Sequence, residues 1–387
     1  MKLPASHPLR LRIIKNATTT PSRQFTSTSP KLNTNNNPPQ NDTKTNRPFN
    51  LDAYLQTATK TLASHPPKLL HDTLSPTPSH LLTLALVDHL PPTPSFTSPS
   101  PQGPGSFTCY PPPPPTTPLP QGHHLVYFPI QVPPSRLLPD GTDPDHGPGW
   151  PFVRRMWAGG SVAFARGWDA ALRLDGRRAV CVETVGVPVG RGDKVFVEVR
   201  RRYGVGEGVV EGRGVVVDEL RRLVFMREKG GGRRGEGRKV RGMFFLVSSP
   251  AAPSFSFTLR PDATLLFHFS ALSYNAHAIH LNPEYARVQE GYRGLLVHGP
   301  LTLVLMLSAL RFSQTQDPKL QTWVESIDYR NLAPLYVDEE LKVCLREMGQ
   351  GTIATPRERR WQVWIEGPDG ELAVKGTATT VTTTTRD

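Results

Sequence analysis

The sequence predicts an α+β fold with a buried apolar helix and antiparallel strands, and three observations support this prediction. Residues 301–310 form an almost wholly apolar run directly after a Gly-Pro pair, which is the pattern of a buried helix that begins near Gly299. Four strand patterns follow this run before the chain ends. The N-terminal half carries a similar series of closely spaced strand patterns, which indicates an antiparallel sheet there as well.

The first 45 residues have the composition of a removable targeting segment. They carry seven basic side chains and a single acidic one, Asp42, and so supply half of the net charge of +12. Arginine, serine and threonine are frequent, which is typical of a mitochondrial transit peptide, and the apolar core of a secretory signal is missing. An ordinary disordered tail is the alternative. No apolar run is long enough to suggest a membrane span.

The N-terminal half is predicted to occupy residues 46–229. It begins with two helices, over residues 50–63 and 79–90, and a proline-rich insertion at residues 91–120 follows them. The pair Gly159 and Gly160 predicts a tight bend of a curved sheet or a close backbone approach. The predicted strands cover residues 124–132, 178–184, 194–203, 209–220 and 222–227.

A Gly/Arg-rich linker is predicted at residues 230–241, and the C-terminal half at residues 242–387. No aromatic side chain interleaves the basic linker, so we do not expect a nucleic-acid partner. Short strands are predicted within residues 244–250, 254–261 and 264–269. After the apolar helix come predicted strands over residues 321–332, 341–348, 359–366 and 371–380, with a hairpin turn at residues 366–370.

The three cysteines are scattered, and no Cys-x-x-Cys pair occurs. The sequence therefore suggests neither a disulfide framework nor a zinc site, and it fits a reducing interior. We expect no metal and no cofactor.

A cluster of polar residues precedes the apolar helix. Asn275, His277 and His280 lie within six positions, and His298 comes directly before Gly299. Histidine exchanges protons near neutral pH, and backbone N–H groups at a helix N-terminus stabilise a developing oxyanion. The spacing therefore indicates acid–base chemistry on a carbonyl compound. A purely structural role is the alternative for each histidine.

This cluster resembles the motif of the MaoC-like hydratases and dehydratases, which have the hotdog fold. Their motif Ser-Gly-Asp-x-Asn-Pro-Leu/Ile-His-x-Asp aligns with residues 273–282, and their Val-x-His-Gly motif aligns with the segment that ends at Gly299. Ser273 and His280 match, whereas Asn275 stands in place of the catalytic Asp.

The closest resemblance is to the fungal mitochondrial type 2 hydroxyacyl-thioester dehydratases and their mesaconyl-CoA or itaconyl-CoA hydratase relatives. The motif of that subgroup looks closer to Asn-x-His-x-Ile-His, as found here. Residues 154–160 and 329–335 also look like this subgroup.

The resemblance implies a double hotdog, in which two antiparallel sheets each wrap a helix in one chain and a degenerate N-terminal repeat shapes the substrate tunnel. It implies that His280 is the acid/base and that the Gly299 N–H polarises the thioester carbonyl. Asn275 would hold the water or hydroxyl, and His277 would be a second acid/base.

Further substrate-binding candidates are His298 and Ser273. Tyr292, Arg293 and Arg330 are candidates for contacts with the pantetheine arm or phosphates of the carrier. Surface salt bridges explain these two arginines equally well, and the same applies to Arg154 and Arg155.

The function implied by the resemblance is that of a (3R)-hydroxyacyl-thioester dehydratase, or enoyl-thioester hydratase, in mitochondrial fatty acid synthesis. Its substrates would be carried by CoA or acyl carrier protein, and the enzyme would be a monomer or homodimer in the matrix. The first alternative is a mesaconyl-CoA or itaconyl-CoA hydratase. The second is a non-catalytic module that binds acyl thioesters, which the exchange of Asp for Asn275 motivates.

Overall fold

A computed structural model of the chain describes residues 49–92, 112–227, 252–313, 320–350 and 358–384. The helices are α1 (Leu51–Ala63), α2 (Pro76–Leu86), α3 (Trp168–Ala171), α4 (Ala263–Ser273) and α5 (Gly299–Phe312). The strands of the N-terminal half are β1 (Lys68–Thr73), β2 (Arg154–Phe164), β3 (Arg178–Val185), β4 (Val189–Arg191), β5 (Lys194–Gly204) and β6 (Val215–Met226). Those of the C-terminal half are β7 (Phe255–Leu259), β8 (Leu320–Asn331), β9 (Leu341–Gln350), β10 (Glu358–Glu366) and β11 (Leu372–Thr384).

All eleven strands belong to one antiparallel sheet, in which the two halves of the chain repeat the same topology. The order is β1-β3-β5-β6-β2-β8-β11-β10-β9-β7, and β4 pairs with β5 outside this path. The first strand of each half, β1 or β7, lies at an outer edge of the sheet, and the second strand, β2 or β8, lies at its centre. The other three strands of each half lie between these two, apart from the short β4. The helices α2 and α5 lie between the first and second strands of their halves. The two predicted sheets are thus present, and they join edge to edge.

The two halves meet where β2 pairs with β8. Gly159 is opposite Arg330 and Gly160 is opposite Tyr329 in this register. A Cβ atom on Gly159 would lie 2.2 Å from the carbonyl oxygen of Tyr329, and the φ of Gly159 is +139°. The glycine pair therefore permits the close strand approach that the sequence predicted.

The helix α5 forms the centre of the core. All ten residues from Leu301 to Leu310 are buried, as the apolar run predicted. This helix packs against β8, β9, β10 and β2, and therefore against strands from both halves. The helix α2 adds Leu82 and Leu86 to the same hydrophobic core.

Most predicted elements are confirmed within one to four residues. Asn50 caps α1 through a hydrogen bond of 3.0 Å from the Ala53 N–H to its Oδ1 atom. The predicted strands 209–220 and 222–227 are one strand, β6, preceded by a 3₁₀ turn. The hairpin turn before β11 is present, with a bond of 2.9 Å from the Gly367 N–H to the Glu371 carbonyl.

Two strand predictions were wrong. Residues 124–132 contain a buried 3₁₀ turn, His123–Val126, followed by irregular chain. Residues 264–269 lie inside α4, which Asp262 caps through a bond of 2.7 Å from the Leu265 N–H. The cap and the continuous apolar composition fit a buried helix as well as a strand.

Several predicted segments lie outside the described residues. They are the targeting segment 1–45, most of the proline-rich insertion, the linker 230–241 and the strand pattern in 244–250. Among the described helices, none combines the length and apolar character needed to cross a membrane.

Candidate active site

A cavity of about 470 Å³ is lined by residues of both halves of the chain. The C-terminal half contributes Asn275, His277, His280 and Gly299, which the sequence had singled out. The N-terminal half contributes mainly apolar side chains together with the arginines of β2, β5 and β6. The volume of the cavity falls in the range of about 300–1,000 Å³ that is usual for small-molecule sites.

The end of α4 positions Asn275. Tyr274 adopts a left-handed conformation with a φ of 52°, and the Asn275 N–H donates to the Ser270 carbonyl at 2.8 Å. The Oδ1 atom of Asn275 accepts from the His277 N–H at 3.1 Å. Among the described residues its Nδ2 group has no protein partner, so Nδ2 is the donor available to a ligand.

His280 lies in a 3₁₀ turn, Ala278–His280, and its tautomer follows from one contact. Its Nδ1 atom is 2.7 Å from the carbonyl oxygen of Leu296. A carbonyl only accepts, so Nδ1 carries the proton and Nε2 keeps its lone pair. Burial lowers the pKa of His280 to about 4; the bond to Leu296 opposes this shift, and the nearby Arg155 guanidinium adds to it. His280 is therefore neutral and basic at Nε2 near pH 7.

The other two histidines surround His280. The ring of His298 stacks on that of His280 with a centroid distance of 3.8 Å, and the His277 ring is 5.5 Å away edge to face. His298 is fully buried, lies outside the cavity lining, and its Nε2 atom is 2.8 Å from the Ser270 hydroxyl. Burial is the main cause that lowers the pKa of both His277 and His298 well below the usual range.

Gly299 is the first residue of α5 and faces the cavity. The first N–H groups of a helix have no acceptor within the helix and lie at its positive end. A Cβ atom on Gly299 would lie 2.6 Å from the Cβ atom of Trp157, so only glycine fits here. Among the described residues no acceptor bonds to the Gly299 N–H, which makes it the candidate oxyanion donor at the cavity wall.

Of the three remaining predicted site residues, Ser273 lines the cavity and the other two do not. Ser273 lines the cavity, but its hydroxyl donates to the Phe269 carbonyl at 2.6 Å. Tyr292 lies outside the lining and its hydroxyl contacts the Met156 sulfur at 3.1 Å. Arg330 is exposed on β8, also away from the lining.

Sequence reasoning missed Asp140, which the fold brings to this site from the N-terminal half. Its Oδ2 atom lies 3.6 Å from the Nε2 atom of His277, and its carbonyl accepts from the Ala278 N–H at 2.8 Å. Nothing local in the sequence marks this aspartate, because it lies in a turn-rich segment 135 or more positions before the histidines.

A group of potential metal ligands lies at the wall of the cavity, where Asp143 and His146 belong to the lining. The ligand atoms of Asp143, His146 and Glu183 are within 4.8 Å of one another. Lys68 contacts Asp143 at 3.3 Å, and Arg201 contacts Glu183 at 2.8 Å, so protein cations already neutralise both carboxylates. The contacts fit a buried ion-pair network better than a metal site.

Comparison with known proteins gives the class of this protein, a hotdog hydratase or dehydratase, which is a hydro-lyase that acts on acyl thioesters. Residues 122–337 match the family model of hydroxyacyl-thioester dehydratase type 2. The chain is 31% identical to the mesaconyl-C(4)-CoA hydratase of Chloroflexus aurantiacus over 264 residues, which are 67% of this chain and 83% of that protein.

Two further comparisons agree with this family match. The mitochondrial hydroxyacyl-thioester dehydratase type 2 of Schizosaccharomyces pombe is 24% identical over 73% of this chain and 90% of its own length. The crystal structure of a MaoC-like dehydratase from Phytophthora capsici has a TM-score of 0.53 and 18% identity, and covers 84% of this chain and 98% of its own. The chain belongs to the hydroxyacyl-thioester dehydratase type 2 family, which confirms the resemblance and the double hotdog.

Proposed function

We propose that this chain catalyses the reversible addition of water to trans-2-enoyl thioesters, with a (3R)-hydroxyacyl thioester as the hydrated product. The observation that carries this proposal is the fixed tautomer of His280. Its unprotonated Nε2 atom belongs to a neutral imidazole that lines the same cavity as the start of α5. A base and an oxyanion donor in one cavity are the two groups that this reaction needs.

In the hydration direction, His280 takes a proton from a water molecule while the water oxygen bonds to the β-carbon. The double-bond electrons move toward the thioester oxygen, where the Gly299 N–H at the positive end of α5 stabilises the negative charge. The imidazolium of His280 then returns the proton to the α-carbon, and the enzyme is restored. Dehydration follows the same path in reverse.

Asn275 and His277 support this chemistry in our proposal. The Nδ2 group of Asn275 holds the water or the leaving hydroxyl, because an amide donates hydrogen bonds but does not act as an acid or base near neutral pH. The Nε2 atom of His277 lies 3.6 Å from the Oδ2 atom of Asp140, whose negative charge favours a protonated His277, and His277 is the second acid/base in this proposal.

The cellular setting is also a proposal. Two relatives, from Schizosaccharomyces pombe and Saccharomyces cerevisiae, are named mitochondrial, and residues 1–45 have a transit-peptide composition. We therefore place the mature enzyme in the mitochondrial matrix, in fatty acid synthesis, with CoA or acyl carrier protein as thioester carrier, as a monomer or homodimer. N-terminal sequencing of the protein from mitochondria should find that residues 1–45 are removed; a chain that begins at Met1 contradicts the targeting proposal.

Two alternative functions stay open and are separable by assay. Hydration of a dicarboxylic enoyl-CoA is favoured by the relative from Chloroflexus aurantiacus. A non-catalytic acyl-thioester-binding module is motivated by Asn275. Purified residues 46–387 should be assayed with a panel of enoyl- and hydroxyacyl-CoAs. Turnover of crotonyl-CoA supports the proposal, turnover confined to dicarboxylic enoyl-CoAs supports the first alternative, and tight binding without any turnover supports the second.

A further inference from the structure

The start of α5 lacks the side-chain cap that usually holds the first turn of a helix. His298 occupies the N-cap position without capping the helix through its side chain, and its Nε2 atom contacts the Ser270 hydroxyl at 2.8 Å instead. The candidate oxyanion donor, the Gly299 N–H, belongs to this uncapped turn. An oxyanion donor must lie about 2.7–3.1 Å from the developing charge, so other contacts have to hold the turn in place.

Thr302 holds this turn from within the helix. The residue is buried, and its hydroxyl donates to the Gly299 carbonyl at 2.6 Å. Its N–H donates to the His298 carbonyl at 3.1 Å. The His298 carbonyl and the Gly299 N–H belong to one peptide unit, and the Gly299 carbonyl belongs to the next. Thr302 therefore bonds to both peptide units that flank the candidate donor.

On its other side, Gly299 packs against a bulge in β2. A Cβ atom on Gly299 would lie 2.6 Å from the Cβ atom of Trp157. The register between β2 and β6 shifts between Trp157 and Gly159, which leaves Ala158 without a partner on β6. Pairing of β2 with β8 begins at Gly159, opposite Arg330, and does not include Trp157. The wall that Gly299 touches therefore lies beyond the end of the β2–β8 ladder.

The side chain of Asn331 connects this wall to the C-terminal half. Asn331 is the last residue of β8, and its Nδ2 atom donates to the Trp157 carbonyl at 2.9 Å. Its Oδ1 atom lies 3.5 Å from the Thr302 hydroxyl oxygen. The indole N–H of Trp157 donates to the Tyr329 hydroxyl at 2.9 Å, so both the backbone and the side chain of Trp157 are bonded to β8. The cavity lining includes Trp157, Gly299, Thr302 and Asn331.

We propose that Asn331 and Thr302 are positioning residues that hold the Gly299 N–H where the thioester oxygen becomes negative. This inference rests on the proposed function and adds two residues to it. Asn331 keeps the Trp157 wall of the N-terminal half against Gly299, and Thr302 orients the two peptide units around it. Neither residue transfers a proton. Their loss should therefore affect the transition state more than the binding of the substrate.

Kinetics of crotonyl-CoA hydration test this role. Asn331→Leu removes the amide at similar size, and Asn331→Asp removes the Nδ2 donor at the same shape. Either change should lower kcat by roughly 10- to 100-fold while KM changes less than about threefold, because the donor acts in the transition state and small misplacements are costly. Thr302→Val should lower kcat by about 10-fold, and Thr302→Ser, which keeps the hydroxyl, should retain it.

Thr322 provides a matched control on β8. Its hydroxyl bonds to the Thr382 hydroxyl at 2.9 Å, and it lies outside the cavity lining. Thr322→Val loses a buried hydroxyl contact near the opposite end of the strand from Asn331. This variant should keep the wild-type kcat and KM.

A measurement without turnover isolates the position of the donor. Butyryl-CoA is the saturated analogue of crotonyl-CoA and has no double bond to hydrate. With a heavy carbon isotope in its thioester carbonyl, infrared difference spectra report how strongly the bound carbonyl is polarised. The carbonyl band should lie at lower frequency on the wild-type protein than in solution, and Asn331→Leu should move it back toward the solution value.

The outcomes separate this inference from the proposed function. Loss of kcat at nearly constant KM, together with the shifted band, supports the inference. A folded Asn331 variant with wild-type kcat, with a loss through KM alone or with the wild-type band overturns it. If neither Asn331 variant has the native circular dichroism, the Thr302 pair decides, and equal kcat for Thr302→Val and the wild type overturns the inference. Absence of turnover by the wild type overturns the proposed function, while the infrared bands still decide the role of Asn331.

Discussion

Five buried histidines should make the stability of this protein fall as the pH drops from about 6.5 to about 4. Burial is the main cause that lowers the pKa of each, and for two of them the value is about 4. The five are His123, His124, His277, His280 and His298.

The direction and the size of this change in the free energy of unfolding follow from the number of protons that the folded and unfolded chains bind. An unfolded histidine takes up a proton at about pH 6.5, whereas folded His280 does so only at about pH 4. Between these values the unfolded chain binds more protons, so acid favours unfolding. The difference between 6.5 and about 4 corresponds to about 3 kcal/mol for His280, fully lost below pH 4, at a slope of up to about 1.4 kcal/mol per pH unit.

Urea unfolding followed by tryptophan fluorescence at pH 7.5, 6.5 and 5.5 measures this effect. The free energy of unfolding of the wild type should fall by several kcal/mol across the series. Its slope against pH should be lower by about 1 kcal/mol per pH unit in His280→Gln, because glutamine does not titrate. His71 is exposed on β1, and His71→Gln is the control, which should keep the wild-type slope. Equal slopes for His280→Gln and the wild type would refute the reasoning that burial keeps His280 neutral.

Three further predictions concern two residues of the candidate active site and the C-terminal half of the chain. Asn275→Asp should retain or raise hydration of crotonyl-CoA, and Asn275→Ala should cost less than loss of His280; an inactive Asp variant with native circular dichroism contradicts this. Gly299→Ala should lower kcat by roughly 10²-fold or more, because its Cβ would meet Trp157 at 2.6 Å and displace the N–H donor; near-normal kcat would remove that donor from the mechanism. A fragment of residues 242–387 should be aggregated or inactive by size-exclusion chromatography and assay, because it exposes the β8 edge and lacks half of the cavity lining.

The sequence predicted the central helix and most strands because their patterns are long and unambiguous. The run from Leu301 to Leu310 is too apolar to be anything but buried, and the Gly-Pro start fixes where the helix begins. The strands β9, β10 and β11 pair in chain order, as consecutive antiparallel strands usually do, whereas β8 pairs with β11 and β2, which chain order does not predict.

The helix α4 was mispredicted for a physical reason. Its apolar sequence has no clear period, because Leu265, Leu266 and Phe269 are buried while Phe267 is exposed within one short helix. Asp262 was a usable signal, since Asp is a favoured N-cap.

That the candidate site residues share one cavity was predictable, but their electrostatic partners were not. Asn275, His277 and His280 lie within six positions of one another, Gly299 begins the buried helix that follows them, and all four line the cavity. Whether Arg154 or Arg155 is paired depends on which side of β2 each faces and on Glu290, 135 or more residues away. Such long-range pairings require the fold.

The most direct test of the account is the hydration of crotonyl-CoA by His280→Ala, with circular dichroism as the folding control. His280 Nε2 is the proposed base, so the rate should fall by roughly 10²–10⁴-fold, the usual contribution of a positioned acid/base, while the fold is kept. A His280 variant with near wild-type turnover, especially beside a His277 variant that loses it, would contradict the account and assign proton transfer to His277.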